Sequence, residues 1–379
     1  MKAVQAMIVV PSRELALQIE QVFREMGSGF KANAVYGGRS IAKDRIELEH
    51  LPALLIGTPG RLADHLRREA FSTSEIKTLI LDEFDKSLEV GFKDEMMEIV
   101  FGLRNVTTRV LTSATQGLTV PNFVGLEKET TINYLDQKIN QLKIEIVNSP
   151  SKDKLETLNT LLKYLGNEPG IVFCNFKNSI KRVSDFLNEK GIAHGFFFGG
   201  MEQKERERAL IKFRNGTHKL LLATDLAARG IDVNEIKFII HYHLPLKSEE
   251  FTHRNGRTAR MNANGTAYVL KWSRESLPDF IEELKLEELV LDKENVTKQN
   301  EVLAMTTLFV SGGRKDKISK SDIAGMFFKQ GGLEGVELGV IEIKHDCTFV
   351  SVATAKAEKV VEILNNRRLK KKKVRVRKV

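Results

Sequence analysis

A chain of 379 residues with 42% hydrophobic and 29% charged content has room for two or three domains, each with its own core. No apolar run approaches the length of a membrane span, and the N-terminus has no charged-then-apolar leader, so no membrane association is expected. The net charge of +9 is segregated: Leu303 to Val379 hold 17 Lys and Arg against 8 Asp and Glu, which leaves residues 1–302 neutral. A basic end on a neutral body suits either a polyanion-binding appendage or a solvated tail. Two cysteines, Cys174 and Cys347, lie far apart and in no metal-type spacing, which points to a reduced, cytoplasmic setting.

In chain order, an apolar strand over Ala3–Val10 stops at Pro11, and helical spacing follows over Arg13–Met26. A strand over Ala32–Tyr36 ends at Gly37-Gly38, a helix fits Ile41–Glu49, and a strand over Ala53–Ile56 runs into Thr58-Pro59-Gly60-Arg61. Pro59 suits the first turn of the next helix. The apolar run Leu79–Leu81 ends abruptly in Asp82-Glu83, with Asp85 two further on, and a strand over Arg109–Thr112 ends in Ser113-Ala114-Thr115. Strands alternating with helices imply a doubly wound parallel sheet, whose carboxyl edge is where open α/β folds place ligands. Two adjacent carboxylates on that edge can hold Mg²⁺ through water and orient an attacking water; alone, they also fit an ordinary strand end followed by a helix cap. Small residues and an arginine at Ser12-Arg13, Gly37-Gly38 and Thr58–Arg61 suit backbone approach to phosphates, although each singly is an ordinary strand–helix turn.

After a linker near Asp136–Gln141 the alternation resumes, predicting a second doubly wound sheet of similar size. Its strands are Leu142–Val147, Gly170–Cys174, Ala193–Phe198, Lys219–Thr224, Lys237–Tyr242 and Thr266–Lys271. Helical spacing covers Leu155–Leu165, Ser179–Lys190 and Gln203–Phe213, where Gln203 and Arg206 share a face one turn apart. In H-R-N-G-R-T-A-R at 253–260, Arg254, Arg257 and Arg260 recur every three residues, which on a helix makes a cationic face, functional or merely solvated. Ser273–Lys293 reads as a helix. From Thr306 on, the pattern is βαββαβ, the topology of an RNA-recognition motif. Phe309 and Phe349 are candidate base-stacking rings there, with a core position for both the competing reading; Arg314, Lys315 and Lys317, and the run Arg367–Lys378, are candidate phosphate contacts.

P-S-R-E-L-A at 11–16, G-G at 37–38, T-P-G-R at 58–61, D-E-F-D at 82–85 and S-A-T at 113–115 stand in the order found in DEAD-box RNA helicases, and the chain resembles that family. I-V-F-C-N at 171–175, Gln203 with Arg206, A-T-D-L-A-A-R-G-I-D at 223–232 and the arginine motif at 253–260 continue the resemblance. T-L-F-V-S-G-G-R-K-D-K-I-S-K-S-D-I-A-G resembles the C-terminal domain of a bacterial group acting on large-subunit ribosomal RNA. The resemblance implies RecA-like domains at 1–137 and 138–300 and an RNA-recognition-like domain at 303–379. It further implies ATP and Mg²⁺ as cofactors, RNA, namely large-subunit ribosomal RNA or pre-ribosomal particles, as partner, and a monomer. Asp82 and Glu83 would organise Mg²⁺ and water, with Arg257 and Arg260 as arginine fingers. Gly230 and Asp232 would touch the nucleotide, and Asp85, Ser113, Thr115 and His253 would couple hydrolysis to strand separation. The implied RNA contacts are Pro11, Arg13, Gly38, Thr58, Pro59, Gly60, Arg61, Asn175, Gln203, Arg206, Thr224 and Asp225.

The sequence departs from the family in three places. Phe84 stands where the family has alanine; Ala259 and Asn262 replace glycines. The family's P-loop, G-x-x-x-x-G-K-S/T, belongs upstream of P-S-R-E-L-A, and Gly27–Lys31 does not substitute because its spacing is wrong and it follows a helix. We therefore expect an N-terminally incomplete helicase that hydrolyses ATP poorly in this form; a non-catalytic RNA-binding scaffold and a DNA-directed helicase are the rival expectations.

Overall fold

The computed structural model describes residues 3–89, 91–113, 119–126, 129–133, 142–225, 236–258, 264–291 and 304–379. The chain divides into two units near residue 139. In the first, β1 (Ala6–Val9), α1 (Arg13–Glu25), β2 (Ala32–Val35), α2 (Ile41–Leu48), β3 (Leu54–Gly57), α3 (Pro59–Arg67), β4 (Thr78–Leu81), α4 (Phe84–Glu89), α5 (Lys93–Gly102) and β5 (Thr108–Leu111) follow in order. Its five strands pair in parallel in the order β2-β3-β1-β4-β5. Alternate strand residues supply two apolar layers. Met7, Val9, Leu55, Leu79 and Leu81 pack on one face, and Ile8, Val10, Ala34 and Ile56 on the other. Ser12 caps α1 by accepting a hydrogen bond from the Leu15 amide at 3.2 Å.

The second unit begins with β6 (Leu142–Ser149), α6 (Leu155–Leu165), β7 (Gly170–Phe173), α7 (Lys177–Glu189), β8 (His194–Phe197), α8 (Gln203–Arg214) and β9 (Leu220–Ala223). It continues with β10 (Phe238–His241), α9 (Ser248–Asn255), β11 (Gly265–Trp272), α10 (Asp279–Glu282) and β12 (Glu287–Glu288). Seven parallel strands run in the order β12-β6-β11-β10-β7-β9-β8. Over the described residues 273–291 the expected Ser273–Lys293 helix is not continuous: only α10 is helical there, and β12 adds an edge strand to β6. Pro278 is the N-cap of α10, since a proline within a longer helix would cost a backbone hydrogen bond, and Lys285, at φ 49°, breaks helical continuation.

The same unit holds β13 (Met305–Val310), α11 (Lys320–Lys329), β14 (Leu338–Ile343), β15 (Thr348–Ala353), α12 (Thr354–Leu364), β16 (Arg368–Leu369), β17 (Lys372–Lys373) and β18 (Val376–Lys378). The expected βαββαβ order is present as an antiparallel sheet β14-β15-β13-β18, with a β16–β17 hairpin added. Ser319 and Asp322 cap α11 reciprocally, each side chain accepting from the other's amide. The fold class read from the sequence, two doubly wound parallel sheets and a small α+β domain, is the one observed.

Candidate functional site

Because every strand of the first sheet is parallel, the sequence motifs that end them share one edge. Across it lie Gly37-Gly38, Thr58–Arg61, Pro11–Arg13, Asp82-Glu83 and Thr112-Ser113. Gly38 has φ +82°, and a Cβ there would lie 2.7 Å from the Arg13 guanidinium, so the turn requires glycine and brings Arg13 beside it. Thr58 and Pro59 are buried at the start of α3, and Gly60 is half-buried. Arg61 turns inward. Its Nε donates to the Tyr36 carbonyl at 3.2 Å, its Nη2 donates to the Arg39 carbonyl, and it pairs with Asp44 at 3.1 Å. The guanidinium expected on RNA is thus engaged within the unit.

At the centre, Asp82 and Glu83 leave β4 as expected, and Thr112 ties them to the end of β5. Its hydroxyl donates to Asp82 Oδ1 and accepts from the Glu83 amide at 3.1 Å. Glu83 holds φ 45°, a strained region for a non-glycine residue and one found at functional sites. Thr112 was not singled out in the sequence; its place one residue before S-A-T, at the end of the neighbouring strand, was the available signal. Phe84 is a core residue, packed with the layer that holds Leu79 and Met96, which accounts for a large apolar side chain in the tetrad. Asp85 is buried with its Oδ2 3.4 Å from Lys86 Nζ, and Ser113 is exposed. Among the described residues no three His, Cys, Asp or Glu side chains form a metal cage. The Asp82–Glu83 pair still fits Mg²⁺, which takes one or two carboxylates and completes its shell with water and phosphate oxygens.

In the second unit three adjacent strand ends converge on Arg254, which is 1% exposed. Its guanidinium forks onto both oxygens of Asp225 at 2.6 Å, donates to Asn175 Oδ1 at 2.9 Å and to the His243 carbonyl at 2.7 Å, and lies over the Phe173 ring. Asn175 also donates from Nδ2 to the Leu244 carbonyl at 3.0 Å. Burial first, and nearby Lys154 and Arg254 next, push His243 down to about 4, and its neutral Nδ1 accepts from the Asn175 amide at 3.2 Å. Burial and Arg254 push His241 to about 3. Among the described residues Arg254 and Arg257 do not share a helix, because α9 ends at Asn255: Arg254 is a buried tie and Arg257 sits in the turn beyond. Asn175 and Asp225, expected on RNA, serve this tie. Thr224 and His253 are half-buried, Gln203 reaches Glu207 at 3.4 Å, and Arg206 covers the Phe197 ring. Thr115, Gly230, Asp232 and Arg260 lie outside the described residues.

In the third sheet Leu308, Val310, Val350 and Val352 form one core face, so Phe309 and Phe349 point to the other, where Phe309 is half-buried and Phe349 is buried. They pack edge-on at 5.8 Å, with Arg377 over Phe309 at 4.8 Å. That face is not open. Arg214 at the end of α8 grips Glu342 with contacts of 2.9 and 3.1 Å, Thr217 bonds Thr307 at 2.7 Å, and Ser351 donates to the Asn215 carbonyl at 2.7 Å. Phe349 retains 9% exposure and Ser351 none, so base stacking at Phe349 would require displacing neighbours. Arg314, Lys315 and Lys317, by contrast, are exposed, as are Arg367, Arg368, Lys370, Lys371 and Lys373.

Comparison with known proteins matches the DEAD/DEAH box helicase family over residues 1–123, the helicase conserved C-terminal domain over 153–262 and the DbpA RNA binding domain over 307–378. The ATP-dependent RNA helicase DbpA of Bacillus subtilis is 30% identical, over 99% of this chain and 85% of its own. The chain belongs to the DEAD-box RNA helicases, with a DbpA-type RNA-binding domain. DbpA of Escherichia coli is likewise 30% identical, over 98% and 84%. In fold, this helicase is similar to the DEAD-box helicase Mss116 bound to ssRNA and UDP-BeF, at TM-score 0.66 and 23% identity over 78% of this chain and 68% of the other. It is also similar to Saccharomyces cerevisiae Dbp5 bound to RNA and ADP BeF3, at 0.64 and 23% over 78% and 79%.

Proposed function

We propose that this chain is an ATP- and Mg²⁺-dependent helicase that locally separates structured RNA, directed to large-subunit ribosomal RNA or pre-ribosomal particles by its third domain, as a cytoplasmic monomer. The observation that carries the reading is the family order of strand-end motifs along one sheet edge, followed by a DbpA-type RNA-binding domain. No described helix is long and apolar enough to cross a membrane. In this reading the domains span 1–137, 138–300 and 303–379. Asp82 and Glu83 hold Mg²⁺ and an attacking water, and Thr112 fixes their direction. Mg²⁺, when bound, supplies charge neutralisation at the phosphates, and Arg257 and Arg260 supply it at the transferring group. Gly230 and Asp232 contact the nucleotide, while Asp85, Ser113, Thr115 and His253 couple it to RNA.

RNA contact in the first unit is assigned to the turns at Pro11–Arg13, Gly38 and Thr58–Gly60, and in the second to Gln203, Arg206 and Thr224. In the third domain it is assigned to the exposed basic segments Arg314–Lys317 and Arg367–Lys378, in preference to the half-buried Phe309 and the buried Phe349. A second reading, an RNA-binding scaffold, draws on the exposed basic segments Arg314–Lys317 and Arg367–Lys378, which can hold RNA without hydrolysis. RNA-stimulated ATP hydrolysis separates the two. The chain, and the chain fused downstream of a relative's P-loop segment, are assayed with ribosomal RNA fragments beside Asp82→Asn variants. Hydrolysis in the fused form that vanishes on Asp82→Asn supports the helicase; tight RNA binding with no hydrolysis in either form supports the scaffold.

A further inference from the structure

Asp44 belongs to none of the motifs, yet it is fully buried. Three side chains converge on its carboxylate at 3.1 Å each: Arg39 Nε, Arg61 Nε and His65 Nε2. Arg39 belongs to the Gly37-Gly38 turn and Arg61 to the Thr58 turn, the ends of neighbouring strands β2 and β3. Both arginines also reach main-chain carbonyls on the first of these. Arg39 donates to Ala34, and Arg61 to Tyr36 and Arg39. Glu47 also pairs with Arg39, but Asp44 is the carboxylate that both guanidiniums share, and it closes a ring joining the two turns.

We propose that Asp44 is a positioning residue for RNA, locking the Gly37–Gly38 and Thr58–Gly60 turns in one register so that the N–H groups of Gly37, Gly38 and Gly60 meet neighbouring phosphates; Thr58 already donates to the Val35 carbonyl and Pro59 has no N–H. This rests on the assignment of those turns to RNA. Asp44 itself touches no RNA in this scheme; α2 carries it behind the turns.

The sign of the effect discriminates. Asp44→Asn makes the chain more positive by one charge, which by simple electrostatics tightens binding to a polyanion. A positioning role predicts the reverse. The full chain is titrated with a fluorescent twelve-nucleotide oligouridine, and a 4-thiouridine version is photocrosslinked and mapped to peptides over 36–61. We expect Asp44→Asn to bind several-fold more weakly, to crosslink less over 36–61, and to lose about 0.7 in salt slope per phosphate contact given up on a single strand. Asp44→Glu, which restores the carboxylate, should recover most of the loss. Unchanged or tighter binding by a folded Asp44→Asn chain overturns the proposal.

Gly38→Ala tests the underlying assignment separately. If it leaves crosslinking over 36–61 intact, the edge does not carry RNA; if it weakens crosslinking while Asp44→Asn does not, only the positioning role fails. Should Asp44→Asn not fold, hydrogen exchange of Gly38→Ala decides: loosening at 37–39 must spread to 58–61 through Asp44, and independent exchange of the two turns overturns the linkage.

Discussion

Arg254→Ala takes the cation out of a site where Asp225, Asn175 and the His243 carbonyl all depend on it. Breaking a buried ion pair from one side costs about 3–5 kcal/mol, because the remaining charge keeps its desolvation without its partner. The Asp225 side chain retains 21% exposure, so water recovers part of that loss and the lower figure applies, about 3 kcal/mol. For a unit of this size that corresponds to a fall in Tm of roughly 6–12 °C. Trp272, the single tryptophan, lies on β11 of the same unit, so its fluorescence reports unfolding in urea. Arg254→Lys should lose much of the same stability, since an ammonium cannot fork onto two oxygens while reaching Asn175. The decisive measurement is the cycle Arg254→Met, Asp225→Leu and the double variant. We expect the double to be more stable than the sum of the singles by about 2 kcal/mol or more, as for contacting residues that share a buried network. Additivity within about 0.5 kcal/mol, or a loss below about 1 kcal/mol in Arg254→Ala, would refute the view that this arginine holds three strand ends together.

Three further outcomes follow from the same structure. His241 and His243 have folded-state values pushed below the usual 6.5, to about 3 and about 4, so the unfolded chain binds protons first; stability of the second unit should be full above pH 6.5 and decline as pH falls toward 4, seen as a falling urea midpoint by Trp272 fluorescence. Glu342→Gln removes the charge that Arg214 and Lys344 hold, and should raise hydrogen exchange over 305–310 and 348–353 by about fivefold, or about 1 kcal/mol, while leaving β7 and β10 unchanged. Burial pushes the thiols of Cys174 and Cys347 up to about 12 and about 11, so neither should react appreciably with an aromatic disulfide at neutral pH in the folded chain, and both should react in urea.

Most strands of the two parallel sheets were readable because they are short apolar runs followed within a residue or two by Gly, Pro, Asp or Ser, and the chemistry of the first unit was readable because its motifs are those closing residues. What sequence spacing could not give was direction. Arg254, Arg257 and Arg260 look periodic, but α9 stops at Asn255, and Arg254 finds Asp225, 29 positions earlier, across the sheet edge. Period-two alternation places Phe309 and Phe349 together on one face, yet nothing local tells which face meets α8; that depends on Arg214, Asn215 and Thr217, about a hundred positions away. The β16–β17 hairpin lies in a run of Arg and Lys with weak strand preference, and is shaped by long-range ties, Lys370 to Asp322 and Lys372 to Asp316. Asp44 went unnoticed because an acid on a short helix carries no pattern; its meaning comes from three partners on two other elements.

Arg61, Arg254, Asn175 and Asp225, all conspicuous in the motifs, have their polar groups turned onto other protein groups. Toward solvent along the strand ends of the first unit this leaves Gly38, Thr112 and Ser113 exposed and Gly60 half-buried, with Arg13 beside Gly38. Backbone N–H groups at such turns can approach phosphate but cannot distinguish one base from another. An RNA held there as proposed would be gripped without regard to sequence. Choice among RNAs would then fall to the exposed arginines and lysines around the third sheet, whose ring-bearing face packs against Arg214, Asn215 and Thr217 and leaves Phe309 half-buried and Phe349 buried. Recognition built on those loops should favour folded RNA shape over single unstacked bases, because guanidinium and ammonium groups contact phosphates from outside, whereas base stacking needs open rings.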